Sequence, residues 1–236
     1  MRLRAVDRTR AEGYSPAKWE VRDCAQSGDV TSGDPVGRPF PATAMPDPEW
    51  WLALWPRPAD VLGALGVEPG LEIAVDLCCG DGLFTVPLAA LARQVVAIDL
   101  DPQLLAAARE RTDAAGSSTC EFVEGDAYDL ASLVRRPADI VLIANTFHGV
   151  PDKLRLTRTI QAVLRPGGRL LVVNWHKRPR EDTTVLGQPR GPRTDLRMSP
   201  AEVEDVVAST GLRLVRVVEL PPYHYGAIFG KPEPGP

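Results

Sequence analysis

The stretch V-D-L-C-C-G-D-G-L-F-T, residues 75–85, decides the fold. A short β-branched run ends near the acidic Asp76, a turn containing Gly80 and Gly82 follows, and a helix is predicted from about Leu83. Glycine permits a tight turn and a close approach of a ligand to the backbone, and the amide end of the following helix would face that ligand. The stretch therefore predicts a nucleotide-type site at the carboxyl edge of a parallel sheet.

Short apolar runs alternate with segments of helical periodicity in the middle of the chain. The runs are rich in β-branched residues and bounded by turn residues, as expected of strands buried on both faces. They span residues 71–77, 94–100, 120–126, 138–145 and 168–175, and the helices expected between them span 83–93, 102–112 (with Asp101 as N-cap) and 152–164. This alternation predicts an α/β fold, with a mostly parallel sheet and helices on both faces.

The two ends of the chain differ from the central region in composition and in the elements they predict. Residues 1–48 are rich in proline and glycine, so we expect an N-terminal extension that is disordered or folds over a site as a lid. The folded domain is expected over residues 49–232. Besides the central strands it should contain two short helices within 50–65, a long surface loop over 177–200, a helix capped by Ser199 and an antiparallel hairpin over 212–230.

Charge and cysteine content exclude several classes of protein. The 236 residues include 27 Lys and Arg against 31 Asp and Glu, and the formal net charge of −4 is opposite in sign to the basic surface usual in nucleic-acid binders. No run approaches the roughly 18 apolar residues of a membrane span, and the N-terminus lacks the apolar centre of a secretory signal. The four cysteines lack paired metal-ligand spacing. We therefore expect a cytoplasmic protein with reduced thiols, no metal, no membrane association and no nucleic-acid partner.

Five motifs, in the expected order, resemble those of the class I S-adenosylmethionine-dependent methyltransferases, and of their ubiquinone/menaquinone C-methyltransferase-like group in particular. They are D-L-C-C-G-D-G at 76–82, D-L-D-P-Q-L-L at 99–105, E-G-D-A-Y-D-L at 124–130, A-D-I-V-L-I-A-N-T-F-H-G at 138–149 and V-L-R-P-G-G at 163–168. The first departs from the family's glycine pattern at Cys78, where a negative φ is expected to keep the turn tight. The resemblance implies a Rossmann-like seven-stranded sheet in the order 3-2-1-4-5-7-6, with S-adenosylmethionine as methyl donor and S-adenosylhomocysteine as product.

The same resemblance implies which residues contact the donor. They lie where the first four strands end: Asp76, Cys78, Gly80, Gly82, Asp99, Leu100, Asp126, Ala127 and Asn145. Asp99 is expected to accept hydrogen bonds from both ribose hydroxyls, and Asp126 from the adenine amino group. The alternative role of Asp99 is a helix N-cap without a ligand, and Glu124 or Asp129 compete with Asp126 for the adenine contact.

The methyl acceptor is predicted to bind above the ends of strands four and five. His148 is the candidate general base, because neutral imidazole is available at pH 7 and a hydroxyl acceptor gains from proton removal. Its alternative role is a loop histidine bonded to the backbone. The other pocket candidates are aromatic or histidine residues: Trp175, His176, Tyr223 and Tyr225. Trp50, Trp51 and Trp55 either cover the site or belong to an ordinary helix that packs on the sheet.

The leading hypothesis is methyl transfer to a small molecule. An NAD(P)-linked oxidoreductase and a noncatalytic adenosyl-binding protein are the alternatives. The oxidoreductase is disfavoured because dinucleotide turns follow the pattern G-x-G-x-x-G, whereas here Cys78 occupies the first glycine position and the third glycine is missing. Pocket aromatics together with the acidic net charge favour a flat or apolar acceptor.

Overall fold

A seven-stranded sheet forms the centre of the computed structural model, which describes residues 39–43, 45–233 and 235. The strands of the chain are β1 (Leu71–Leu77), β2 (Ala92–Asp99), β3 (Cys120–Glu124), β4 (Ala138–Ala144), β5 (Leu164–Trp175), β6 (Thr184–Val185), β7 (Gln188–Pro189), β8 (Arg213–Leu220) and β9 (His224–Gly230). The sheet order is β3-β2-β1-β4-β5-β9-β8, while β6 and β7 form a separate two-stranded ladder.

Strand directions confirm the predicted topology. Strands β1 to β5 are mutually parallel, and β9 runs antiparallel to both β5 and β8. Because β8 and β9 are the predicted sixth and seventh strands, the order agrees with 3-2-1-4-5-7-6. The last strand, β9, thus inserts between β5 and β8. The order in which strands are added to the sheet reverses between β1 and β4, and open α/β sheets bind ligands at such a point.

Helices cover both faces of the sheet. They are α1 (Pro48–Leu54), α2 (Pro58–Ala64), α3 (Thr85–Ala89), α4 (Pro102–Ala114), α5 (Leu130–Leu133), α6 (Lys153–Val163) and α7 (Pro200–Ala208). The predicted caps are confirmed, because the Asp101 side chain accepts the amide of Gln103, and Ser199 and Glu202 form a capping box. Two short helices replace the proline-interrupted segment, as predicted.

The helix predicted over 83–93 is wrong at both ends. Helix α3 spans only Thr85–Ala89, and Arg93 belongs to strand β2. The physical reason is a long-range tie, since the carbonyl of Leu91 accepts the amides of Gly70 and Leu71 at the start of β1. These bonds end the helix and set the parallel register that pairs Leu71 with Ala92.

The core consists of one large apolar cluster on each face of the sheet and a third, small cluster of Cys79, Ala97 and Leu105. Side chains alternate along a strand, so Val75 packs towards α5, α6 and α7, while its neighbour Ala74 packs towards α1, α2 and α3. Burial on both faces explains the continuous apolar runs in the sequence. Among the described residues, no helix is long and apolar enough to cross a membrane.

Candidate active site

The turn after β1 has a left-handed backbone at three positions. Cys78, Gly80 and Gly82 have φ of +59°, +56° and +83°. The expectation of a negative φ at Cys78 is therefore wrong, because the turn requires the left-handed conformation even where the glycine is replaced. A residue with a Cβ is strained by roughly 1–2 kcal/mol in this conformation. The turn is thus held in shape by its surroundings.

The two glycines of this turn serve different neighbours. A methyl group on Gly82 would lie 2.9 Å from Cβ of Ala108, so this glycine lets α4 approach the turn closely. A methyl group on Gly80 would instead lie 2.8 Å from Sδ of Met45. The open side of Gly80 therefore forms a cradle that holds a thioether in this structure.

Asp99 joins the ends of β1 and β2. Its Oδ2 accepts the amide of Gly80 at 2.9 Å, and its Oδ1 accepts the amide of Asp101 at 3.0 Å. Burial raises the pKa of Asp99, although these amides oppose the shift. Each carboxylate oxygen has two lone pairs, so Asp99 retains acceptor capacity at the edge of the turn.

Asp76 lies beneath the turn and is 2% exposed. The hydroxyl of Thr85 donates to its Oδ2 at 2.6 Å. Burial raises the pKa of Asp76 to about 7; the Thr85 bond lowers it, and the charges of Asp99 and Asp81 raise it further. The site therefore contains a carboxyl group that titrates near neutral pH, a property that clusters at functional sites.

The remaining predicted donor-site residues line the same edge of the sheet. Asp126 follows β3, and its Oδ1 accepts a hydrogen bond from the amide of Tyr128 at 2.9 Å. The next residue, Ala127, is buried. Leu100 directly follows β2 and is partly buried. Asn145 follows β4 with φ of +58°, and its buried Oδ1 has no hydrogen-bond partner among the described residues.

His148 is buried, and both of its ring nitrogens have a neighbour. Nδ1 lies 3.3 Å from Oδ1 of Asn174, and Nε2 lies 3.2 Å from the carbonyl oxygen of Ala42. Burial lowers the pKa of His148, while the bonds to Ala42 and Asn174 oppose that shift. A neutral ring carries one N–H and one lone pair, so it can donate to only one of these two oxygens.

A short N-terminal segment crosses this edge of the sheet, and we call residues 39–43 and 45–47 the strap. Besides the His148 contact, the Phe40 ring meets Tyr128 edge-on at 5.5 Å, and the Pro41 carbonyl lies against Gly149. Met45 reaches the donor turn. The strap is thus the described part of the predicted lid; residues 1–38 and 44 of the extension lie outside the described residues.

The predicted aromatic residues form two groups. Trp175 stacks on Tyr223, with ring centres 6.1 Å apart, and also contacts Trp50 and His224. Trp50, Trp51 and Trp55 are buried in this first group, on the α1 face. The second group lies on the opposite face, where the Tyr225 ring contacts His176 and its hydroxyl donates to Met198. Asn174 precedes Trp175 in β5, and successive side chains of a strand point to opposite faces. The prediction of one pocket between His148, Trp175 and Tyr223 is therefore wrong in part, because His148 contacts Asn174 on one face while Trp175 and Tyr223 pack on the other.

Arg197 is a buried residue that the sequence analysis did not single out. It lies in the loop between β5 and α7, is 2% exposed, and its guanidinium carbon lies 5.1 Å from the Trp175 ring centre. The loop contains several arginines, and no spacing distinguishes the buried one from the exposed ones. Of the four cysteines, Cys78, Cys79 and Cys120 are free thiols, and Cys24 lies outside the described residues.

Comparison with known proteins agrees with this geometry. A family described as "Methyltransferase domain" matches residues 75–172. The ubiquinone biosynthesis O-methyltransferase of Xanthomonas campestris is 32% identical over 127 residues, which are 54% of this chain and 52% of that protein. The tRNA 5-carboxymethoxyuridine methyltransferase of Escherichia coli is 31% identical over 124 residues, 52% of this chain and 47% of that protein. The chain thus spans about half the length of the curated relatives it matches.

Solved structures share the fold. A SAM-dependent methyltransferase from Aquifex aeolicus has a TM-score of 0.65 and 24% identity, over 78% of this chain and 94% of that one. The N-methyltransferase NodS of Bradyrhizobium japonicum, in complex with S-adenosyl-l-homocysteine, has a TM-score of 0.61 and 19% identity, over 81% and 95%. Motifs, sheet order and matched domain agree: residues 75–172 match the methyltransferase domain family, and the fold is the one that solved S-adenosylmethionine-dependent methyltransferases share. These matches support S-adenosylmethionine as the cofactor.

Proposed function

We propose that the chain transfers a methyl group from S-adenosylmethionine to a small-molecule acceptor. The observation that carries this proposal is the left-handed turn at Cys78, Gly80 and Gly82, joined to Asp99 by the Gly80 amide. The turn brings Gly80, which has no side chain, next to the anchored carboxylate of Asp99 at the point where the strand order reverses. Such a position suits the binding of an adenosyl group.

The residues present fit the donor. Asp99 would accept from the ribose hydroxyls, and Asp126 with Ala127 would border the adenine. The cradle over Gly80 already accommodates the thioether of Met45, so it suits the sulfur-bearing part of the donor. The unpartnered Oδ1 of Asn145 would accept from the donor's ammonium group.

Chemistry at this site requires positioning more than covalent assistance. Bound S-adenosylmethionine supplies an electrophilic methyl group on a sulfonium. The protein has to align the acceptor for in-line attack and exclude water. The left-handed turn and the buried edge of the sheet provide that enclosure.

His148 is proposed as the general base, with Asn174 orienting it. In one tautomer, Nδ1–H donates to Oδ1 of Asn174 and leaves the lone pair on Nε2. That lone pair would face the Ala42 carbonyl, so this tautomer is unfavourable while the strap is in place. With the strap bound, the proton belongs on Nε2, and the Asn174 amide turns its unpartnered NH₂ towards Nδ1. Displacement of the strap would therefore free the base.

A small acceptor is favoured over tRNA as the substrate. The net charge of −4 opposes association with a polyanion, and the residues predicted to line the acceptor site include aromatic side chains, which suit a flat molecule. One relative named above is a tRNA methyltransferase, so RNA binding is measured alongside. A retardation experiment with bulk tRNA at low salt is expected to show no complex.

Calorimetry with S-adenosylhomocysteine tests the donor site. Asp99→Asn is expected to bind about tenfold to a hundredfold more weakly than wild type, because a charged hydrogen bond is worth roughly 1.5–3 kcal/mol. The matched control is Asp101→Asn, since this nearby aspartate only caps α4 and asparagine also caps helices. Equal affinity in wild type and Asp99→Asn would remove the ribose assignment. Binding of NADH but not of S-adenosylhomocysteine would favour the oxidoreductase.

Methyl transfer itself is tested with labelled donor and a panel of phenols, thiols and amines. A wild-type enzyme that binds the donor and labels none of them would support the noncatalytic alternative. With a competent acceptor, His148→Ala should lower turnover by roughly 10²–10⁴ and leave donor binding unchanged. An unaltered rate and pH profile would reduce His148 to a structural role.

A further inference from the structure

Buried polar atoms without a partner are concentrated near the carboxyl edge of the sheet. Among the described residues most of them are N–H donors, and those of Trp51, Trp55, Asn174, Arg190 and Arg197 have no acceptor. Native proteins normally satisfy such groups with protein, water or ligand atoms. A surplus of donors indicates that the missing partner is an acceptor.

Arg197 is the charged member of this set. Its Nε donates to the Pro192 carbonyl at 3.0 Å, and its Nη2 donates to Thr183 Oγ1 at 2.8 Å and to the Arg190 carbonyl at 3.0 Å. All three acceptors are neutral, and Nη1 has no partner in the part of the chain that the structure describes. None of the ion pairs in the described part of the chain includes Arg197. A buried cation of this kind normally has an anionic partner.

The ring of Trp175 lies beside this cation and is buried beneath the loop that carries Gly191. The guanidinium stands over the Trp175 ring, and the backbone of Gly191 lies so close to the ring that an added methyl group would be 2.8 Å from its atoms. His224, opposite Trp175 in the β5–β9 register, has two buried ring nitrogens without partners. The cation, the ring and the histidine therefore meet at the edge of the sheet that carries the donor turn.

We infer that Arg197 and the Trp175 ring form the recognition site for a flat methyl acceptor that carries a carboxylate. The inference rests on the proposed function and specifies its substrate class. The carboxylate pairs with Nη1 of Arg197 in a charge-assisted hydrogen bond, and the aromatic part of the acceptor lies along the Trp175 cluster. Arg197 binds and orients the acceptor and takes no part in the transfer itself.

Access to this site involves the loop that carries the partners of Arg197. Thr183, Arg190 and Pro192 hold the guanidinium through two carbonyls and a hydroxyl, which a carboxylate could replace or extend. The hairpin β6–β7 lies between them at the surface, with Leu186 61% exposed. The acceptor would therefore enter by displacing this hairpin, and its reacting group would extend past the end of β5 to reach His148 on the other face.

Two probes of the same shape test the inference: 2-naphthoate and its neutral analogue 2-naphthamide. Wild-type protein is expected to bind the carboxylate at least tenfold more tightly than the amide in calorimetry. Arg197→Met should bind both with equal affinity. Arg193→Met is the matched control, because Arg193 lies in the same loop, is exposed and pairs with Asp195; it should keep the wild-type preference.

The outcomes separate this inference from the proposed function. Equal affinity of wild type for the two probes overturns the inference, and so does a tenfold preference that survives in Arg197→Met. S-adenosylhomocysteine binding is measured on the same samples. If wild type binds S-adenosylhomocysteine but shows no carboxylate preference, the proposed methyl transfer still stands. If wild type does not bind S-adenosylhomocysteine, the proposed function is contradicted. If Arg197→Met does not fold, the guanidinium NMR signals of wild-type Arg197 decide, because they must shift with naphthoate and not with naphthamide.

Discussion

Replacement of Asp76 by asparagine should make the protein more stable at alkaline pH while it weakens the donor site. The carboxyl group of Asp76 is buried beneath the turn, and burial raises its pKa from 3.8 to about 7. Between these values the unfolded chain is ionised and the folded chain is protonated. The folded state then binds more protons, so stability falls as pH rises through this interval.

The size of the effect follows from the two pKa values. Each pH unit between them is worth about 1.4 kcal/mol, so ionisation of Asp76 costs the folded state about 4 kcal/mol above pH 7. Asparagine has nearly the same shape, still accepts from the Thr85 hydroxyl and carries no charge. Its NH₂ adds a fixed cost that does not depend on pH. The stability difference between Asp76→Asn and wild type should therefore grow by about 4 kcal/mol from pH 4 to pH 8.

Urea unfolding followed by tryptophan fluorescence at several pH values measures this difference. Asp139→Asn is the control with the opposite sign. Burial alone would raise the pKa of Asp139, but the amides of Ile73 and Glu72 and the Arg165 side chain lower it overall. Its contribution is therefore present at neutral pH and lost as pH falls below its ordinary value. A pH-independent difference between Asp76→Asn and wild type would refute the reasoning.

Three glycine substitutions test other parts of the structure. Gly149→Ala places a methyl group 2.1 Å from the Pro41 carbonyl, so the strap should detach and S-adenosylhomocysteine should associate faster in stopped-flow experiments; an unchanged rate would argue that the strap does not control entry. Gly82→Ala should lower the unfolding free energy by roughly 1–3 kcal/mol, because its methyl group meets Ala108 at a φ of +83°. Gly63→Ala lies in helix α2 with nothing within 4 Å and should instead raise the unfolding free energy by about 0.5–1 kcal/mol.

The elements that were predictable from the sequence are those with local causes. Continuous apolar runs predicted the buried strands, and Asp101 and Ser199 predicted helix starts, because a cap acts within one turn of helix. The end of α3 was not predictable in this way. It depends on the Leu91 carbonyl bonding to residues some twenty positions earlier, and nothing in the helical periodicity records that contact.

The residues of the candidate site also differ in whether local sequence predicts them. The position of Asp99 at the end of β2 was predictable, because the apolar run that predicts this strand ends next to Asp99 in the sequence. The left-handed φ of Cys78 and the burial of Arg197 did not follow. The first depends on contacts that hold the turn in shape, and the second on a loop that folds over Trp175. Both are set by tertiary contacts that override residue preference.

The two edges of the sheet differ in how well their buried polar groups are satisfied. At the amino end of β4, Asp139 accepts two amides and the Arg165 guanidinium, and its pKa is lowered. At the carboxyl end of β1, Asp76 accepts a hydrogen bond from the Thr85 hydroxyl, and burial raises its pKa. At that same end Arg197 makes no ion pair with a described residue, and only the more distant charge of Glu181 acts on it. Both edges belong to the same strands, so strand burial alone does not cause the difference. Unsatisfied groups are retained where binding completes them, which is why we place both the donor and the acceptor at the carboxyl edge.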